Sequence, residues 1–195
     1  MKLISGLRKT TLVGVTALIL CAGTGMEARA QRTMRGESLL TAEAHYPFSS
    51  PYWMGADLSY GQYLLSSYWK TGICATEYSH PLDGEELSMG YLHAAAYGEW
   101  MYRLAGTRNR CLNLYGGAGA FLGYEAVDAW DLIPSEMKED YASGYFLYGL
   151  SASLELEIFL SRRVAVTLVG RLPVNFSSQF GWLHYHAGAG LRVNL

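Results

Sequence analysis

The sequence predicts an all-β protein: an eight-stranded antiparallel up-and-down outer-membrane β-barrel that follows a cleaved signal peptide. Three observations predict it. The segment Leu183–Leu195 alternates apolar and polar residues up to the last position, which is the pattern of a strand with one apolar and one polar face. The first 30 residues resemble an export signal. Seven other segments are candidate strands, most of them with the same alternation, and long and short connections follow each other between them, as in membrane barrels.

The N-terminus carries the features of a signal peptide. Three basic residues precede an apolar run over residues 11–22, which is shorter than the about 20 residues that a membrane-spanning helix needs. Ala28–Ala30 has the small-x-small pattern of a cleavage site. We therefore expect residues 1–30 to be removed by cleavage after Ala30, and residues 31–195 to form a single β-barrel domain.

The composition of the mature chain argues against a nucleic-acid-binding surface. Removal of residues 1–30 takes away four of the 15 basic residues and one of the 17 acidic ones, which leaves a net charge of −5. Direct contact with nucleic acid is therefore not expected. Two cysteines remain, Cys74 and Cys111, and two cysteines on separate strands do not make a disulfide framework.

The first four strands are predicted from short alternating segments. In residues 40–46, Leu, Ala, Ala and Tyr alternate with Thr, Glu and His, and in residues 56–60, Ala, Leu and Tyr alternate with Asp and Ser. Residues 69–78 favour a strand without separating its two faces. In residues 92–102, Leu, Ala, Gly, Trp and Tyr share one parity, and the polar residues fall on the other. These segments predict the first half of the barrel.

The last four strands have longer patterns. Residues 110–127 alternate Leu, Ala and Tyr with Asn, Gly and Glu. Residues 144–160 keep a period of two over more than the 9–11 residues that a membrane strand needs, and this period excludes a helix although Leu and Glu favour one. Residues 164–172 place Val and Leu opposite Thr and Arg, and residues 183–195 close the series.

The connections predict the orientation of the barrel. Outer-membrane barrels have short periplasmic turns, longer outer loops and periplasmic termini. Acidic residues lie in or beside the connections that are long or contain proline, whereas arginines flank the short connections. The predicted outer connections are residues 47–54, 79–87, 128–143 and 175–181; the predicted periplasmic ones are residues 62–67, 104–109 and 161–163.

Parity alone does not tell a membrane barrel from a soluble lipocalin-like one, because the two differ only in which face is apolar. The export signal, the strand count and the last strand favour the membrane barrel. Its lumen is then filled by polar side chains and is not an open channel. In the register that a three-residue turn at 161–163 gives, Arg171 is within reach of Glu155. The expected lumen residues are Glu99, Glu155, Glu157, Arg171, His184, His186 and Arg192.

Two pairs of residues are candidates for chemistry. Glu155 and Glu157 share one strand face and could form an acid–base pair, although carboxylates balanced by arginines explain them more simply. His184 and His186 also share a face and could bind a metal with further ligands, and interior hydrogen bonding is again the simpler interpretation. We assign no catalytic residue, cofactor or metal ligand.

Three further sets of residues keep additional functions open. His93 and Glu99 are possible additional ligands for a metal at the histidine pair. Ser177 and Ser178 precede that pair and keep a lipid-modifying enzyme open. The long loop at residues 128–143 carries Trp, Leu, Ile and Met. It either caps the barrel or binds a partner.

Four blocks of the sequence carry a resemblance to a known family: Ala30–Arg32, Gly116–Glu125, Leu154–Val166 and Gly188–Arg192. In these blocks the sequence resembles the TraO family of conjugal-transfer proteins of conjugative transposons. The resemblance implies a component of the apparatus that moves DNA between cells, with outer-membrane lipid and other transfer proteins as partners. An eight-stranded barrel is too narrow to pass DNA, so we expect a non-catalytic accessory or anchoring role. The alternatives are a generic small barrel for surface protection or adhesion, and a lipid-modifying enzyme.

Overall fold

The computed structural model describes residues 35–48, 54–81, 88–108, 111–127, 144–178 and 181–195. The expected signal peptide and the whole of the loop at 128–143 lie outside these ranges. Eight antiparallel strands form one closed barrel in chain order. They are β1 (Ser38–Pro47), β2 (Gly55–Tyr63), β3 (Ser67–Pro81), β4 (Ser88–Gly106), β5 (Leu112–Val127), β6 (Gly144–Phe159), β7 (Val164–Asn175) and β8 (His186–Asn194). The described residues contain no helix long and apolar enough to span a bilayer.

The last strand closes the barrel by pairing with the first. Leu40 lies opposite Val193, and Ala44 lies opposite Ala189. Every strand therefore has two neighbours, which leaves no free sheet edge. The predicted eight-stranded up-and-down barrel is confirmed.

The wall of the barrel is apolar outside and polar inside. On β6, Leu154 is 52% exposed and its neighbour Glu155 is fully buried; on β8, Leu191 is 56% exposed and Arg192 is fully buried. A soluble barrel would show the opposite arrangement. The predicted orientation of the two faces, with apolar side chains outward and charged side chains inward, is confirmed, and it is the arrangement of a barrel surrounded by lipid.

Aromatic side chains point outward near both ends of the wall. Such girdles mark the two lipid–water boundaries of a membrane barrel. At one end they include Tyr60, Trp100 and Tyr102, and at the other Tyr46, Tyr124, Tyr148 and Tyr185.

The two ends differ in the length of their connections. One end has the connections 64–66, 107–111 and 160–163, and it also holds the start of β1 and the end of β8; we name it the short-turn end. The other has the connections 48–54, 82–87, 128–143 and 176–185; we name it the long-loop end. The alternation of long and short connections predicted from the sequence is present.

Several strand boundaries differ from the prediction by a few residues, and two of these differences have a visible local feature. The last strand starts at His186 and not at Leu183, and only the single bridge between Val174 and Leu183 precedes it. Pro173 explains the difference because proline has no N–H to donate to the ladder; the bond that remains there is His184 N to Pro173 O, at 3.3 Å. Strand β4 continues to Gly106, beyond the predicted end, through an irregularity between residues 103 and 105.

Candidate functional site

The inward side chains fill the lumen in three layers. The basal layer lies at the short-turn end, the central layer at mid-height and the upper layer near the long-loop end. Each layer consists of alternate residues of several strands, because successive strand residues point to opposite faces. The lumen is the part of the molecule in which chemistry-bearing residues meet.

Arg192 organises the basal layer. Its two terminal nitrogens lie 2.9 Å from Glu157 Oε1 and 2.7 Å from Glu155 Oε1. The hydroxyl of Tyr63 donates to Glu157, and the hydroxyl of Tyr68 donates to Glu155 at 2.6 Å. All five side chains are at most 2% exposed. Tyrosine hydroxyls and a guanidinium therefore replace water around two buried carboxylates, as buried charges require.

Arg171 and Lys70 organise the central layer. Arg171 lies 3.1 Å from Asp57, 3.2 Å from Glu99 and 3.8 Å from Glu43. Lys70 lies 3.4 Å from Glu99 and 3.1 Å from Glu155, so it links this layer to the basal one. The result is one continuous network of ion pairs across the barrel.

The partner predicted for Arg171 was wrong, although the register was right. Arg171 lies opposite Ser153, as predicted. Its guanidinium nevertheless reaches across the lumen to β1, β2 and β4, whereas Glu155 is held by Lys70 and Arg192. Side chains that point into a narrow barrel meet those of distant strands, so wall register alone does not determine the pairs.

The predicted lumen residues are all inside, and several others join them that the alternation did not identify. Lys70 was missed because the third segment did not separate its faces, and Tyr68 was missed because it lies just before that segment. Tyr63 was missed because it fell in a predicted connection. The register of the third and fourth strands contained a signal for Lys70. In this antiparallel pair Lys70 lies opposite Glu99, and oppositely charged residues in such positions interact across strands.

Glu155 and Glu157 have the geometry of structural carboxylates. Both are fully buried, and their oxygens are held by Arg192, Lys70 and tyrosine hydroxyls. A cavity of about 20 Å³ lies above them, beside Arg171 and His186, which is room for about one water molecule. A sugar or lipid substrate does not fit there. The larger cavity, of about 590 Å³, lies against the wall beside Gly170 and Tyr185.

Four histidines form the upper layer around Tyr78. The rings of His45 and His186 stack in parallel with 5.0 Å between centroids. Tyr78 packs against His184 at 5.0 Å, and its hydroxyl hydrogen-bonds the ring of His186. His93 also packs against Tyr78, with 6.1 Å between centroids. The predicted interior position of His184 and His186 is confirmed.

The sequence left two chemical functions open for His184 and His186: metal binding and lipid-modifying catalysis. In the described part of the chain, no three His, Cys, Asp or Glu residues are arranged to hold a metal ion, and Glu99 is engaged by Lys70 and Arg171 in the central layer. Ser178 donates to Glu125 at 2.7 Å, and Ser177 bonds to the backbone of β6.

The cysteines do not bridge. Cys74 and Cys111 do not form a disulfide with each other, in agreement with the expectation from the sequence.

Solved structures share this architecture at low sequence identity. The chain is similar to Neisserial surface protein A, with a TM-score of 0.56, 16% identity, and coverage of 82% of this chain and 97% of that one. It is also similar to the N-terminal β-barrel domain of Pseudomonas aeruginosa OprF, with a TM-score of 0.50, 13% identity, and coverage of 83% and 98%. These likenesses show the fold of small outer-membrane barrels.

The family is shown by the sequence. No curated protein matches the chain. The family of conjugative transposon protein TraO matches residues 38–195, which is the whole barrel from the first residue of β1 onward. Of the four resembling blocks, only Ala30–Arg32 lies outside the matched range. The chain belongs to the TraO family of conjugative transposon proteins.

Proposed function

We propose that this protein is a non-catalytic accessory or anchoring subunit of a conjugative DNA-transfer apparatus, held in the outer membrane by its barrel. The proposal includes export by a signal peptide over residues 1–30, cleavage after Ala30 and a mature barrel domain over residues 31–195. Other transfer proteins and outer-membrane lipid are the partners, and DNA is not bound directly.

The filled lumen is the observation that carries the anchoring role. Arg192, Arg171 and Lys70 tie six strands together through buried carboxylates, and side chains occupy the space that a pore would need. Neither a DNA strand nor a protein carrying it has a path through such a lumen. The barrel therefore serves as a rigid support, and its exposed ends are the parts that can contact other proteins.

The loop at residues 128–143 is the first candidate contact. It is the longest connection and combines apolar residues with six charged ones. The short-turn end is the second candidate. Both are presented by strands whose ends are fixed by the network below them, which suits a docking role.

Deletion tests the proposal in the host cell. Removal of the gene should lower transfer frequency, and the wild-type chain should restore it. A variant in which residues 128–143 are replaced by a short Gly-Ser turn should still show heat-modifiable gel mobility in outer-membrane fractions while transfer falls. The matched control shortens residues 82–87, the other acidic connection at the long-loop end, and should keep transfer if the contact is specific to the longer loop.

Each alternative function has a distinct outcome. Unchanged transfer in the deletion strain, together with altered surface adhesion, would favour the generic barrel. An altered lipid profile that follows replacement of His184 and His186 would favour the lipid-modifying enzyme. The mass of the mature protein measures cleavage directly, since removal of residues 1–30 fixes its N-terminus at Gln31.

A further inference from the structure

Cationic side chains fall into two classes in this barrel. In the described ranges, Lys70, Arg171 and Arg192 lie inside and are all ion-paired. Every other cation of these ranges is an arginine at the short-turn end, without a carboxylate within 4.0 Å among the described residues. They are Arg35, Arg103, Arg108, Arg162 and Arg163, which we name the arginine rim.

The arginine rim is held on fixed backbone. Arg103 N donates to Ser66 O at 2.8 Å, and Arg163 O accepts from Asn194 N at 2.7 Å. Arg35 precedes Gly36, whose N donates to Tyr63 O at 2.8 Å. Arg108 lies in a turn closed by the bond from Thr107 N to Leu112 O, at 2.9 Å. The backbone at or beside four of the five arginines is therefore anchored at the end of the barrel.

The height of the arginine rim corresponds to the headgroup layer. Arg162 and Arg163, with Ser161, form the connection between apolar Leu160 and Val164. At about 3.3 Å per residue, these charges lie within roughly 10 Å of the apolar wall. The polar layer on each side of a bilayer is roughly 5–8 Å thick. Short turns thus keep the guanidinium groups beside lipid phosphates. The guanidinium groups do not project far from the membrane toward a separate protein.

The chemistry of the rim suits phosphate. Arginine binds phosphate through two parallel N–H bonds, which lysine does not do, and all five rim cations are arginine. Apart from Glu155 and Glu157, which are buried in the basal layer, Glu37 is the single described carboxylate side chain at this end. Acidic residues of the sequence concentrate instead in the loops of the other end. Positive charge therefore faces one leaflet and negative charge the opposite side.

We propose that the arginine rim binds the phosphate groups of anionic phospholipids in the leaflet at the short-turn end. This gives the barrel a lipid preference and a fixed depth in the membrane. The inference goes beyond the transfer role and does not depend on it, because it needs only the barrel and its rim.

Tryptophan quenching by brominated lipid tests this binding. Full-length mature barrel is refolded into vesicles of phosphatidylcholine mixed with brominated phosphatidylglycerol, or with brominated phosphatidylcholine, and the relative binding constant of the two is measured. Trp100 and Trp69, near the short-turn end, report it. The wild-type barrel should bind phosphatidylglycerol several-fold more tightly, and high salt should reduce this ratio.

A rim variant and its control complete the test. Arg108→Gln, Arg162→Gln and Arg163→Gln together should bring the ratio close to one, while Glu37→Gln at the same end should preserve the preference. Heat-modifiable mobility checks the fold, and the single variant Arg162→Gln replaces the triple variant if the latter fails to fold. Equal binding of both lipids by the wild type, a ratio insensitive to salt, or an equal loss in Glu37→Gln would overturn the proposal. If the wild type bound both lipids equally, an acidic protein segment would become the candidate ligand of the arginine rim.

Discussion

Arg192 Nη2 lies 2.7 Å from Glu155 Oε1, and this contact joins β8 to β6 across the lumen although β7 separates the two strands in the wall. The same guanidinium holds Glu157 and stacks over the ring of Tyr68, 4.9 Å from its centroid. One side chain thus connects the strand that closes the barrel to the carboxylates at its base. Its removal is the most direct way to test what the network contributes.

Arg192→Leu should destabilise the barrel by about 3–5 kcal/mol, because it leaves two carboxylates buried with a reduced number of partners. The free energy of unfolding in urea, measured in detergent, checks this. Arg162→Leu is the matched control: it removes an exposed arginine without an ion pair in the described residues, and it should change stability by no more than about 0.5 kcal/mol. Equal effects of the two changes would show that the network does not support the fold.

Two glycines on paired strands should respond differently to alanine. A Cβ at Gly119, which points inward, would lie 2.2 Å from Gly98 O and 2.6 Å from Glu99 Cγ, whereas a Cβ at Gly98, which points outward, meets nothing within 4 Å. Gly119→Ala should therefore cost about 1–3 kcal/mol through overpacking. Gly98→Ala should be neutral or stabilise by up to about 1 kcal/mol. Urea midpoints of the two variants decide, and a reversed order would contradict the inward packing.

A charge placed on the outer wall distinguishes a membrane barrel from a soluble one. Leu150 is 53% exposed at mid-height of β6. In a bilayer, Leu150→Arg should cost about 2–4 kcal/mol because the new charge faces acyl chains. Leu65→Arg, at a turn of the short-turn end, should cost no more than about 1 kcal/mol. Refolding equilibria in vesicles measure both, and two equally small costs would indicate a wall that faces water.

The alternating pattern was sufficient to predict the fold because a period of two determines both the strands and their faces. It correctly placed Glu155 and Arg192 inside and Leu154 and Leu191 outside. It also gave the opposition of Ser153 and Arg171, because a short turn fixes the register of the strands that it joins. These are properties of single strands or of adjacent pairs, which a sequence contains directly.

The ion pairs of the lumen could not be predicted in the same way. Arg171 binds Asp57 and Glu99, on strands that are not its neighbours in the wall. Such pairs depend on how far the strands are staggered when the barrel closes, and no local pattern encodes that stagger. The boundary at His186 has a local cause. Pro173 has no N–H to donate to the ladder, and the alternating pattern does not contain this information.

The orientation of the two ends is the basis for both proposals and can be measured. Barrels of this type place termini and short turns in the periplasm, so the long-loop end should face the outside of the cell. In a background with Cys74→Ala and Cys111→Ala, Trp182→Cys should react with a membrane-impermeant maleimide on intact cells. Arg162→Cys should react only after the outer membrane is permeabilised.

Trp182 and Arg162 suit this comparison because both are exposed but lie at opposite ends of the wall. Residue 182 belongs to the connection between β7 and β8, and residue 162 to the turn between β6 and β7, so one strand separates them. If only Arg162→Cys were labelled on intact cells, the orientation of the barrel would be the reverse of the expected one, and the arginine rim would lie at the outer leaflet. If both variants were labelled equally and only after permeabilisation, the long loops would not be at the cell surface. This result would contradict the proposed outer contact.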